Sequence, residues 1–63
     1  MPKPKQVRDA DKTRAAILSA STQLFSEKGF IGASISDIAE VVGVSKSSIY
    51  HYFPSKEAIL HSL

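Results

Sequence analysis

The sequence predicts an all-α fold: three helices arranged as a helix-turn-helix, then the start of a fourth, linker helix. Three observations predict it. Apolar residues recur at three- and four-residue spacings between residues 11 and 28, the mark of one buried helical stripe. Two shorter apolar-striped segments then meet over Gly43-Val44-Ser45, which joins a residue tolerant of positive φ to a helix cap. Finally, Pro54-Ser55 stops one helix and starts another.

Residues 1–10 carry two prolines and three cations with almost nothing to bury, and are expected to form a disordered basic arm. The first helix is expected from about Asp11 to Lys28, with Ile17, Leu18, Ser21, Leu24 and Phe25 on its inner stripe. Asp9 or Asp11 can cap its start, where a carboxylate also meets the favourable end of the helix dipole. Gly29 stands where helices often end in a left-handed residue, and Phe30 can fold back onto the stripe. Ile31-Gly32-Ala33 reads as a short connection.

Ser34 stands three residues before Asp37, a capping box with Asp in place of the usual Glu or Gln. Ile35, Ile38, Ala39 and Val42 share one face of a second helix about two turns long, which only tertiary packing can hold. After Gly43 reverses the chain, Val44 plugs back into the core. Ser45 caps a third helix over about Lys46–Tyr52, with Ile49 and Phe53 inward. Ala39 supplies the small side chain that two steeply crossing helices need. The expected core is Ile17, Leu24, Phe25, Ile38, Val42, Val44, Ile49 and Phe53. Residues 11–54 thus form the helix-turn-helix domain. Ser55 then caps the fourth helix in residues 55–63, where Ile59, Leu60 and Leu63 begin a new apolar stripe. Because that stripe stops mid-pattern, the chain is expected to be a fragment of a longer one.

Composition narrows the function. Sixty-three residues without cysteine allow no disulfide and no cysteine-ligated metal, and His51 and His61 alone make no convincing zinc site. No cofactor is expected. No apolar run approaches the roughly 20 residues of a membrane span, and the first residues lack a signal peptide's apolar core, so a cytoplasmic protein without membrane contact is expected. The net charge of +2 is small, but it is unevenly spread. Residues 1–14 set Lys3, Lys5, Arg8, Lys12 and Arg14 against Asp9 and Asp11, a balance of +3. Residues 15–44 set Lys28 against Glu27, Asp37 and Glu40, a balance of −2. Residues 45–63 set Lys46 and Lys56 against Glu57, a balance of +1. Positive charge on the arm and around the third helix suits a polyanion. The arm either aids solubility or touches DNA phosphates or a minor groove.

A helix-turn-helix reads double-stranded DNA by laying its second helix in the major groove. Lys46, one residue past the cap, is placed to donate to guanine O6 and N7. Ser47 can contact a base closely or leave space for a thymine methyl. Tyr50, a turn later, can set its hydroxyl on a phosphate and its ring on a base or sugar. Tyr50 and Tyr52 could instead cover the core edge, and His51 can pack beside the module or face water. A protein-interaction module is the alternative, since small helical triads also bind partner helices. An outward face of Lys, Ser and Tyr lacks the apolar anchors of a groove binder. Nothing in the sequence pairs a nucleophile with a base or forms a phosphate loop, and no enzyme is expected.

Thr13-Arg14, Ile17-Leu18, Leu24-Phe25, Gly29-Phe30, Ser34, Ile38-Ala39, Gly43-Val44-Ser45, Ile49-Tyr50, Tyr52-Phe53 and Ser55-Lys56-Glu57 stand in an order that closely resembles the N-terminal domain of tetracycline-repressor-type (TetR family) transcriptional regulators. The resemblance spans about residues 12 to 63. It implies a three-helix, homeodomain-like DNA-binding head whose fourth helix leads to a C-terminal domain that this chain lacks. That domain would bind a small-molecule effector and form a homodimer. It further implies phosphate contacts from Ser48, Tyr52 and Lys56, and from Ser36 on the preceding helix, where many relatives have a larger side chain. For Lys56 a second argument agrees: a cation at a helix start opposes the dipole unless an anion lies near. The parent is expected to be a ligand-responsive repressor bound to a near-palindromic operator as a dimer, cytoplasmic and nucleoid-associated.

Overall fold

The computed structural model describes residues 9–63 as four helices with no strand: α1 (Asp9–Gly32), α2 (Ile35–Val42), α3 (Lys46–Tyr52) and α4 (Lys56–Ser62). Most of the expected arm, residues 1–8, lies outside the described residues. Asp9 and Asp11 fall inside α1, at its first and third positions rather than ahead of it. Neither stands ahead of the helix as a cap, and the Asp11 carboxylate, within the first turn, meets the dipole favourably.

The core face of α1 runs through Ile17, Ala20, Ser21 and Leu24, all buried, at the i, i+3, i+4, i+7 spacing that lines one side of a helix. Buried Ser21 donates its hydroxyl to Ile17 O at 2.7 Å, so its polarity is satisfied within the helix. Leu18 and Phe25 pack half-buried against this face. Phe30 folds back as expected, its ring 5.2 Å from that of Phe25.

The end of α1 differs from expectation. Gly29 has φ 78° and ψ 162°, outside the left-handed helical region and in a region essentially reserved for glycine. The chain therefore breaks there and then makes one more turn over residues 30–32, with Ala33 N–H on Gly29 O at 3.1 Å. The expected loop is this turn, and Ala33 ends it fully buried.

Ser34 then caps α2 in a complete capping box. Asp37 N–H donates to Ser34 Oγ at 3.0 Å, and Ser34 N–H donates to Asp37 Oδ2 at 3.1 Å. Asp replaces the usual longer acid without losing the reciprocal bond. Ile35, Ile38 and Ala39 turn into the core. Gly43 ends the helix at φ 88°, ψ 32°, and the N–H groups of Gly43 and Val44 converge on Ala39 O at 2.8 and 3.0 Å. Ala39, the small residue expected at the crossing, is buried, and its carbonyl receives both bonds of the reversal. α1 lies against α2 and α4, and α2 against α3.

Of the eight expected core residues, Ile17, Leu24, Ile38, Ile49 and Phe53 are buried, and Phe25, Val42 and Val44 pack against them partly exposed. The expected α4 stripe divides. Ile59 is fully buried, whereas Leu60 and Leu63 are 44% and 52% exposed. Successive helical residues lie about 100° apart, so a two-turn helix that points Ile59 inward carries its neighbour Leu60 off the contact.

Candidate nucleic-acid interface

Local sequence places α3 for display. Ser45 accepts the Ser48 N–H on its hydroxyl at 3.2 Å, closing the helix start. Phe53 adopts the extended backbone that a following proline favours and closes the end with its N–H on Ile49 O at 2.9 Å. Ile49 and Phe53 are buried, which turns the opposite arc outward. On that arc Lys46, Ser47, Tyr50 and His51 are all exposed.

The residues expected at the interface fall into two groups. Lys46, Ser47 and Tyr50 form one exposed cluster, with Tyr50 four residues from Lys46 and three from Ser47, neighbour spacings on a helix surface. No acid lies within ion-pair reach of Lys46 among the described residues, where the one ion pair joins Lys28 to Asp37 at 3.4 Å. Ser36 is also exposed, in the first turn of α2. Ser48, Tyr52 and Lys56 are more enclosed. Ser48 is half-buried and shares a hydrogen bond with the Ser45 hydroxyl at 3.2 Å. Tyr52 packs partly buried against the core, with the His51 ring edge-on to it at 5.3 Å. Lys56 is half-buried and donates to Phe30 O at 2.7 Å and Ala33 O at 2.9 Å.

Two residues near this surface carried no expected role. His51 follows Ser47 by four, so the helical spacing that selected Tyr50 could have selected it too. Arg14 of α1 holds its guanidinium 5.1 Å above the Phe53 ring, beside the end of α3. Only the tertiary fold, which sets α1 beside Phe53, brings it there.

Asp37, at the foot of α2, has its carboxyl held below the ordinary aspartate range. The Ser34 N–H bond contributes most; partial burial opposes it, and the Ser34 hydroxyl and Lys28 ammonium add to it. The carboxylate is therefore charged near neutrality, and its negative charge favours the α2 start.

Residues 17–63 match the family described as bacterial regulatory proteins, tetR family. The chain belongs to that family. Its similarity to individual members agrees: over 55 residues it is 47% identical to the HTH-type transcriptional regulator RutR of Escherichia coli (strain K12), covering 87% of this chain and 26% of that protein. It is 40% identical to the HTH-type transcriptional regulator UidR of the same strain, covering 87% of this chain and 28% of that one. The chain spans about a quarter of the length of the curated relatives it matches. Membership in the tetR family makes it a helix-turn-helix, DNA-binding regulator domain. No helix among the described residues is long and apolar enough to cross a membrane.

Proposed function

We propose that α3 reads DNA sequence in the major groove, as the head of a dimeric, ligand-responsive repressor. The observation that carries this reading is the exposed cluster of Lys46, Ser47 and Tyr50 on a capped helix, with Lys46 free of any acid partner among the described residues. A lysine of that kind keeps its donors for guanine O6 and N7. Ser47 fits close against a base, and Tyr50 reaches base or sugar with its ring. Ser36 meets a phosphate from α2, and Ser48 and Tyr52 offer their hydroxyls from the flank. Lys56 is left out of this phosphate set, because its ammonium already donates to two backbone carbonyls.

A dimer of such heads reads two half-sites about one helical turn apart, so the operator is near-palindromic. A further domain, matching the greater length of the relatives, binds the small-molecule effector and forms the dimer. A single head binds more weakly, because it lacks the effective concentration that a linked second head provides.

Selection from random duplex DNA followed by binding in a salt series tests this. Log affinity falls steeply with log salt if phosphates are engaged. Lys46→Ala costs about 1–3 kcal/mol and relaxes preference at one base position. Equal loss on every operator variant would make Lys46 a phosphate contact, and salt-independent binding would overturn the whole reading.

A further inference from the structure

The capping box of α2 leaves two backbone carbonyls without their helical partners. Ser34 N–H would close a helical bond onto Phe30 O, but it is taken by Asp37 Oδ2 at 3.1 Å. Asp37 N–H would do the same for Ala33 O, but it is taken by Ser34 Oγ at 3.0 Å. Both carbonyls lie at the α1–α2 corner, and Ala33 is fully buried. An enclosed carbonyl without a donor is costly.

Lys56, at the first position of α4, answers both. Its ammonium donates to Phe30 O at 2.7 Å and to Ala33 O at 2.9 Å, and it sits 4.5 Å from the centre of the Phe30 ring. No carboxylate pairs with it among the described residues. A cation at a helix start opposes its own dipole, and here the carbonyl ends of the preceding turn and an aromatic face supply the negative field instead.

We propose that Lys56 is a positioning residue: a clasp that holds the corner from which α2 departs against the start of α4, and so fixes the reading helix relative to the rest of the molecule. It acts through the carbonyls of Phe30 and Ala33, and α2 and α3 carry its effect to the DNA surface. The part of this role that concerns DNA rests on the proposed function; the clasp itself does not.

Lys56→Met tests it in the full chain, since methionine retains much of the apolar stem over Phe30 and removes the donor. Carbonyl ¹³C shifts of Phe30 and Ala33 and the Tm are measured without DNA. Affinity is then measured in a salt series at 10 °C, with both proteins verified as folded, on a duplex selected by the wild-type protein. The expected result is moved carbonyl shifts, a Tm lower by on the order of 5 °C or more, and about tenfold weaker binding with the salt slope unchanged.

A slope smaller by about 1, with carbonyl shifts and Tm unmoved, would make Lys56 a phosphate contact and overturn the clasp. Moved shifts with full affinity at 10 °C would overturn the positioning role and leave a purely structural lysine. Salt-independent binding by the wild-type protein would overturn the DNA reading, while the carbonyl shifts would still judge the clasp.

Discussion

At Asp37 a single carboxylate joins three groups: the Ser34 N–H at 3.1 Å, the Lys28 ammonium at 3.4 Å, and its own helix start. The ion pair is exposed at Lys28 and adds little; the backbone bond matters more, and it is the main reason the carboxyl titrates below the ordinary range. The sign of the pH dependence follows. An unfolded aspartate titrates near about 3.9, and the folded one lower, so between the two values the unfolded chain binds more protons. The stabilisation is complete above about pH 4 and is lost as pH falls through the folded value. Melting the wild type and Asp37→Asn between pH 6 and 2 checks this. The wild type should lose more stability on acidification than the variant, and parallel curves would remove Asp37 as the cause. The same residue scale decides Lys56. Its unfavourable place at a helix start was legible as the need for a negative partner. Which partner depended on carbonyls 26 and 23 residues away in sequence.

Helix ends account for most of what was legible at the scale of elements. Ser34, Ser45 and Ser55 each accept an N–H three residues on, because a serine cap needs only local backbone to work. Glycines were less legible. Gly43 and Gly29 both have positive φ; a sharp reversal through positive φ was expected at Gly43, and at Gly29 the left-handed helical geometry. Only Gly43 has it. An added Cβ would find nothing within 4 Å at either, so substitution tests the backbone alone. Gly43→Ala should cost about 1–2 kcal/mol, while Gly29→Ala, in the glycine-only region, should cost about 1–3 kcal/mol and rank above it in urea unfolding. The reverse ranking would mean that the α1 break relaxes easily.

For the whole molecule, small size sets the tolerance. A chain of 63 residues at about 0.05–0.15 kcal/mol per residue has roughly 3–9 kcal/mol of net stability. Ile38 is fully buried at the heart of α2, and Ile38→Ala should cost about 2–5 kcal/mol, a large fraction of the total. Urea unfolding should show its midpoint fall steeply, with α2 and α3 melting together because neither short helix holds alone. Native-like amide protection in α3 of the variant would contradict that shared dependence.

By itself, the sequence determined the four helices, the serine caps of the last three, the reversal at Gly43 and the outward arc of Lys46, Ser47 and Tyr50, because spacing, capping and turn chemistry act within a few residues. Tertiary structure decided what depends on distant neighbours. It buried Ala33, divided Ile59 from Leu60, half-enclosed Ser48 and Tyr52, brought Arg14 over Phe53, and turned the Lys56 ammonium onto the α1–α2 corner. A side chain's partners are set by how helices pack, and one sequence read locally does not contain that packing.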